Sequence, residues 1–269
     1  MFNGKGKIIV GDAGCSKYFI MGKLDVDEPA ALTSALEALR ADLMADPYFT
    51  GIPSMQPERN KTAVMFHAKD DVPEVRREVF KLLLTQKVRF YAVVRDKHDA
   101  AAHESRLREK DPKYRYRPNE LYDGLVSRLF GPRWYRADHF NICFSKRGGK
   151  DRDAAMKKAL ENARIEFEKD FGVKNQATVA ISHNTPERNG GLQAVDYFLW
   201  ALQRFYEFEQ TDRRESECRY VELIREHTGE INDLDYVFEG KRGVLWGPHR
   251  PLSLAVRTAR KSAKKKPGI

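Results

Sequence analysis

The stretch Val88-Arg89-Phe90-Tyr91-Ala92-Val93-Val94-Arg95-Asp96-Lys97 decides the fold class. Val88–Val94 is rich in β-branched and aromatic residues and gives way to three charged ones, the pattern of a buried strand reaching the end of its sheet. Ahead of it, Pro73 opens a helix whose apolar stripe is Val75, Val79, Leu82 and Leu83. Behind it, Pro118–Phe130 places Leu121, Leu125 and Leu129 in line, which again predicts a helix. Strand and helix therefore alternate along the chain.

The same alternation extends outward in both directions. Toward the N-terminus, Ala63–Phe66 reads as a short buried strand closed by His67. Asp46–Asn60, with Pro47, Gly51, Pro53 and Pro57, reads as a loop. Pro29 opens a helix to about Ala45 carrying Leu32, Leu36, Leu39 and Leu43. Lys7–Val10 and Tyr18–Val26 read as two arms of a hairpin around Gly11-Asp12-Ala13-Gly14. Toward the C-terminus come a strand at His139–Phe144, a charged amphipathic helix at Asp151–Phe171 and a strand at Gln176–Ile181. Gly190-Gly191 then precedes a helix from Leu192 to about Glu209. After Gln210 the pattern loosens; Tyr236-Val237-Phe238 and Val244-Leu245-Trp246 read as strands or surface extensions. Such alternation predicts an α/β layer architecture with an antiparallel hairpin at its start.

Composition narrows the class. The 269 residues are 41% hydrophobic and 32% charged, with 15 Phe, 11 Tyr and 3 Trp, enough to build a core and too polar for general disorder. No apolar run reaches the ~18 residues that a membrane-spanning helix needs, so no membrane partner is expected. Cys15, Cys143 and Cys218 are an odd set with no close spacing, which argues against a disulfide framework or a zinc module. No apolar segment precedes Ile8, so the expected compartment is the cytoplasm and the Asn60-Lys61-Thr62 sequon is incidental. The net charge is +9, and the six basic residues between Arg257 and Ile269 account for two thirds of it. The bulk of the chain is thus only mildly basic, and the placement of charge matters more than its sum.

Nucleotide-loop, dinucleotide and simple hydrolase motifs are all absent from the sequence. His139 and Cys143 could share a strand face, but two ligands do not make a zinc site. The informative feature is the position of certain acids. Asp12 follows an apolar strand in a Gly-rich turn, and Asp96 follows the Val88–Val94 strand in the same way. Open α/β sheets place ligands at such strand ends, although Asp is also favoured in plain turns. Asp196 has Leu192, Gln193, Leu199 and Trp200 as helical neighbours, so its charge needs a partner from elsewhere, a distant base or a cation. His67-Ala68-Lys69-Asp70-Asp71 precedes the Pro73 helix, where Asp71 could cap the helix, or Asp70 or Asp71 could ligate a metal while His67 positions water or phosphate. Acids converging from separate elements are what Mg²⁺ or Mn²⁺ chemistry requires.

At these residues the chain resembles the bacterial RNase H-like family catalogued as domain of unknown function 3800. The matching pieces are the strand with Asp12, then His67-Ala68-Lys69-Asp70-Asp71 followed by Pro73-Glu74-Val75-Arg76, and Val93-Val94-Arg95-Asp96-Lys97. Asn119-Glu120-Leu121-Tyr122-Asp123 and Leu192-Gln193-Ala194-Val195-Asp196-Tyr197 complete the set, the last resembling the family's Gln-x-Ala-Asp motif. The match spans roughly residues 6 to 207. The resemblance implies a ribonuclease H-like mixed sheet flanked by helices, with acids on the first strand, a later strand and a C-terminal helix. Asp12, Asp96 and Asp196 take those places, with Asp71 as a further metal ligand and His67 assisting catalysis. One departure stands out: the family often follows its first Asp with Glu and Ser, and this chain has Ala13 and Gly14. The implied division is an RNase H-like domain at 1–210, a C-terminal extension at 211–256 packed on it, and a basic, disordered tail at 257–269.

Two clusters interleave cations with rings, a pattern suited to single-stranded nucleic acid. They are Lys113-Tyr114-Arg115-Tyr116-Arg117 and Arg133-Trp134-Tyr135-Arg136; Gly243–Pro251, with Trp246, His249 and Arg250, is a weaker third. From them Lys113, Arg115, Tyr116, Arg117, Arg133, Trp134 and Arg136 are the expected nucleic-acid contacts, unless the aromatics pack inward. The functional expectation is a divalent-metal-dependent nuclease acting on DNA or RNA. The alternatives are a nucleic-acid-binding protein that has lost catalysis and a small-molecule phosphohydrolase.

Overall fold

A computed structural model describes residues 10, 15–111, 113–115, 117–146, 151–207, 218–238, 240–254 and 256. The expected Lys7–Val10 strand lies outside them apart from Val10, which sits in a turn. Asp12, Tyr116 and the basic tail from Arg257 also lie outside the described residues.

The protein is α/β. Among the described residues six strands and seven α-helices follow one another: β1 (Tyr18–Val26), α1 (Pro29–Ala45), α2 (Pro73–Leu83), β2 (Val88–Asp96), α3 (Lys97–Lys110) and α4 (Pro118–Phe130). After them come β3 (His139–Ser145), α5 (Asp151–Phe171), β4 (Thr178–Asn184), α6 (Gly190–Glu207), α7 (Tyr220–Leu223), β5 (Thr228–Phe238) and β6 (Lys241–Trp246). Four strands form one mixed sheet in the order β1-β2-β5-β6. β1 and β2 are antiparallel, since Lys97 N–H reaches Lys17 O at one end and Asp27 N–H reaches Lys87 O at the other. β5 runs parallel to β2: Tyr91 lies against Gly229 near their starts, and Asp96 meets Asp235 near their ends. β6 returns antiparallel through a turn holding Gly240 at φ 75°. Tyr236-Val237-Phe238 and Val244-Leu245-Trp246 thus belong to sheet strands, one of the two readings their sequence allowed.

Contacts divide the chain into two compact units, each assembled from three segments. The first comprises Met1–Gly22, Ala92–Thr185 and Asp233–Val244; the second comprises Lys23–Tyr91, Pro186–Asn232 and Leu245–Ile269. The cut therefore does not follow a single point such as residue 210, and residues 211–256 are shared between the units. In the first unit β3 and β4 pair in parallel from His139↔Thr178 to Ser145↔Asn184, with α5 as the crossover. α4 packs on α5, where Ser127 Oγ donates to Ala159 O at 2.8 Å. In the second unit α1 and α6 flank a core that includes Leu32, Leu36, Phe80, Leu83, Phe90, Phe198 and Leu202. The Phe90 and Phe198 rings pack 5.3 Å apart.

Three elements depart from the sequence pattern. Ala63–Phe66 is irregular, not a strand. The amides of Ala63, Val64 and Met65 donate to the carbonyls of Ser54 and Lys61 in local turns, and Phe66 N–H goes to the Gln193 side chain, so no ladder forms. α3 carries no apolar stripe, burying only Ala100 and Ala101; it forms because Asp96 caps it, accepting His98 N–H at 2.9 Å. α6 begins at Gly190, two residues early, since Asn189 Oδ1 accepts Leu192 N–H at 3.0 Å.

Candidate functional site

The site lies wholly in the second unit, where the irregular segment 61–72 meets one face of α6. Helical spacing puts Gln193, Asp196, Tyr197 and Trp200 on that face. Gln193 and Asp196 each hold a backbone amide of the segment: Phe66 N–H donates to Gln193 Oε1 and Ala68 N–H to Asp196 Oδ2, both at 3.0 Å. Gln193 Nε2 also donates to Pro186 O at 2.8 Å, so this buried amide joins the chain entering α6 to the chain crossing it.

Asp71 closes the segment on itself. Its carboxylate accepts Thr62 Oγ1–H at 2.6 Å, His67 N–H at 2.9 Å and the Tyr197 hydroxyl. The residue is only 2% exposed, and burial raises its pKa while the bonds from Thr62, Tyr197 and His67 oppose the rise. Burial, then the neighbouring Asp71 charge, holds the Tyr197 hydroxyl well above its ordinary value. Arg76 of α2, also buried, donates to the carbonyls of Ala68 (3.0 Å) and Asp71 and stacks 4.6 Å over the Trp200 ring.

Asp196 is different. Its side chain and that of His67 are both 37% exposed, and His67 Nδ1 stands 3.8 Å from Asp196 Oδ2. The partner its sequence setting demanded is thus an amide and an imidazole from a distant segment. Among the described residues no hydrogen bond reaches the other Asp196 oxygen, and His67 Nδ1 has no hydrogen-bond partner. Burial raises the pKa of Asp196, His67 and the Ala68 amide oppose this, and the nearby Asp70 charge adds to it. Asp70 itself is exposed and pairs with Lys61 at 3.7 Å.

The structure therefore brings His67, Asp71 and Asp196 together. It assigns Asp71 a role other than the expected metal ligand: its oxygens are filled by protein donors, and it caps no helix either, since the α2 cap has no side-chain bond. Asp96 belongs to the first unit, where it caps α3. Its own N–H donates to Asp235 Oδ2 at 2.6 Å, and Asp235 also receives Arg95 (2.6 Å) and Arg242 (2.5 Å). No signal in the sequence marked Asp235. Gln193, Tyr197 and Arg76 had one, namely spacing at i, i+3 and i+4 on the Asp196 face and a charged residue on an apolar stripe.

No protein-family model, curated protein or solved structure matches the chain. Among the described residues no group of three or more His, Cys, Asp and Glu is arranged to hold a metal ion. Mg²⁺ and Mn²⁺ sites commonly use only one or two carboxylates, with waters and phosphates completing the shell. Asp196, with an uncommitted oxygen beside a second carboxylate at Asp70, fits that requirement; Asp71 does not.

The expected nucleic-acid contacts divide as well. Lys113, Arg115 and Arg117 are exposed, Arg117 pairing with Glu120 at 3.4 Å. Trp134 is 2% exposed and packs 5.3 Å from Phe140, so its ring is a core element and offers no base-stacking face. Arg133 and Arg136 lie on the 3₁₀ turn Gly131–Arg136, of which the structure describes the backbone at those positions. Among the described residues no helix is long and apolar enough to cross a membrane.

Proposed function

We propose that the chain is a divalent-metal-dependent nuclease of the RNase H-like type. The observation that carries this is Asp196: a half-exposed carboxylate with one oxygen held by the Ala68 amide, the other uncommitted, and both His67 and Asp70 beside it. Two neighbouring carboxylates repel, and a hard cation relieves that repulsion. Mg²⁺ or Mn²⁺, when bound, supplies water activation and stabilises the leaving oxygen of a phosphodiester. Asp196 would hold it, with the neighbouring Asp70 as the second carboxylate. His67, anchored beside Asp196, carries a proton to or from the reacting phosphate oxygens. Lys113, Arg115 and Arg117 supply phosphate contacts along the strand.

The test is cleavage of single- and double-stranded DNA and RNA with Mg²⁺ or Mn²⁺, against EDTA. Asp196→Asn is expected to lose cleavage, and unaltered activity in that variant ends the proposal. Ala13 and Gly14 after Asp12 favour a second reading, binding without cleavage. That reading predicts salt-dependent affinity and no metal-dependent product.

A further inference from the structure

We infer that Tyr197 is a positioning residue for Asp196, acting through Asp71 and the backbone of the 61–72 segment. This rests on the nuclease reading for its consequence, though not for its geometry. Tyr197 is fully buried, and its ring meets Phe80 edge-on at 5.3 Å, a contact that a phenylalanine would make equally well. What distinguishes tyrosine at this position is the hydroxyl, which is donated to Asp71. A buried carboxylate needs such donors to remain folded inward. The three donors to Asp71 come from the start of the segment (Thr62), its middle (His67) and the helix (Tyr197).

That node sets where the next amide points. His67 N–H is fixed by Asp71, and one residue later Ala68 N–H is delivered to Asp196 Oδ2. The imidazole of His67 leaves the same stretch of backbone toward Asp196. Tyr197 follows Asp196 directly on α6, so one turn of helix presents both the carboxylate and the group that anchors the carboxylate's partner. Removing one hydroxyl thus alters the setting of Asp196 while leaving every atom of Asp196 and His67 in the chain.

Tyr197→Phe in the full chain tests this, with Leu36→Ala, a core change in α1, as a control for lost stability. Three quantities are read: hydrogen exchange of the Ala68 amide, affinity for Mn²⁺ alone, and the kcat–KM split on a nucleic-acid substrate. The expectation is faster Ala68 exchange with α2 core amides unchanged, and roughly 10- to 100-fold weaker Mn²⁺ binding or lower kcat at constant KM, as for other residues that orient metal ligands. Unchanged Ala68 exchange overturns the inference, as does an equal loss of kcat in Leu36→Ala at matched melting temperature. Should Ala68 exchange accelerate while the wild-type protein neither binds Mn²⁺ nor cleaves, the nuclease reading falls and the positioning by Tyr197 stands.

Discussion

His67 Nδ1 stands 3.8 Å from Asp196 Oδ2, joining a residue in an irregular segment to one on α6 that is 129 positions later in the chain. The imidazole is the leading opposition to the burial that lifts the Asp196 pKa. His67→Gln is therefore expected to raise the Asp196 midpoint further. Carboxylate ¹³C titration of the labelled protein reads it, and a midpoint that stays or falls counts against the pairing.

Asp71 makes a second pH-dependent contribution. Its folded-state pKa lies above 3.8, its ordinary value, because of burial. The folded state thus binds that proton more tightly than the unfolded chain, so stability from this group falls as pH rises from 3.8 through the folded pKa and is regained on acidification. Urea melts of wild type and Asp71→Asn across acid pH should show the slope in the first and its loss in the second.

Gly190 is fixed by close packing. A Cβ there would meet Thr33 Cα at 2.7 Å and Thr33 Oγ1 at 2.9 Å, and Gly190 N–H already donates to that hydroxyl at 3.1 Å. Backbone, not a flexible tip, would have to move. Gly190→Ala is expected to cost about 1–3 kcal/mol in a chemical melt by overpacking. A neutral result would mean that α1 and α6 can separate freely.

Asp235 and Arg242 should differ sharply as mutation sites although they touch each other. Asp235 has a side chain 2% exposed and neutralises Arg95, so Asp235→Ala should cost about 3–5 kcal/mol by stranding that charge. Arg242 is 49% exposed, and truncating it should cost under about 1 kcal/mol. Equal losses by urea melt would contradict the assignment of Asp235 as the buried node.

If the proposed nuclease reading holds, binding to nucleic acid should depend on Lys113, Arg115 and Arg117 and not on Trp134. Each alanine replacement of the three should lower the salt slope of log K by roughly 1. Trp134→Phe should leave affinity unchanged, and fluorescence anisotropy with a labelled oligonucleotide distinguishes these outcomes. A Trp134 effect as large as the cationic ones would mean that the ring is reached by ligand.

Much of the architecture was legible locally. Pro29, Pro73 and Pro118 marked helix starts because proline loses no needed donor in the first turn. Val88–Val94 and Asp151–Phe171 declared themselves through period and composition. α3 was not legible, since Ala100 and Ala101 are too small to write a stripe. Ala63–Phe66 misled because, of its apolar residues, only Phe66 is buried, while Val64 is exposed on a turn. At the site, the sequence pointed to His67, Asp71 and Asp196 but could not separate their roles.

By itself, then, the sequence determined the α/β class, the proline-marked starts and apolar stripes of several helices, and the need of Asp196 for a partner from outside its own helix. These depend on neighbours within about one turn, where spacing alone decides the contact. Only the tertiary structure decided that the partner is the Ala68 amide with His67, that Asp71 is filled by Thr62, His67 and Tyr197, and that Trp134 faces the core. Such pairings join residues far apart in the chain, and a carboxylate's role follows from which donors the fold brings to its oxygens.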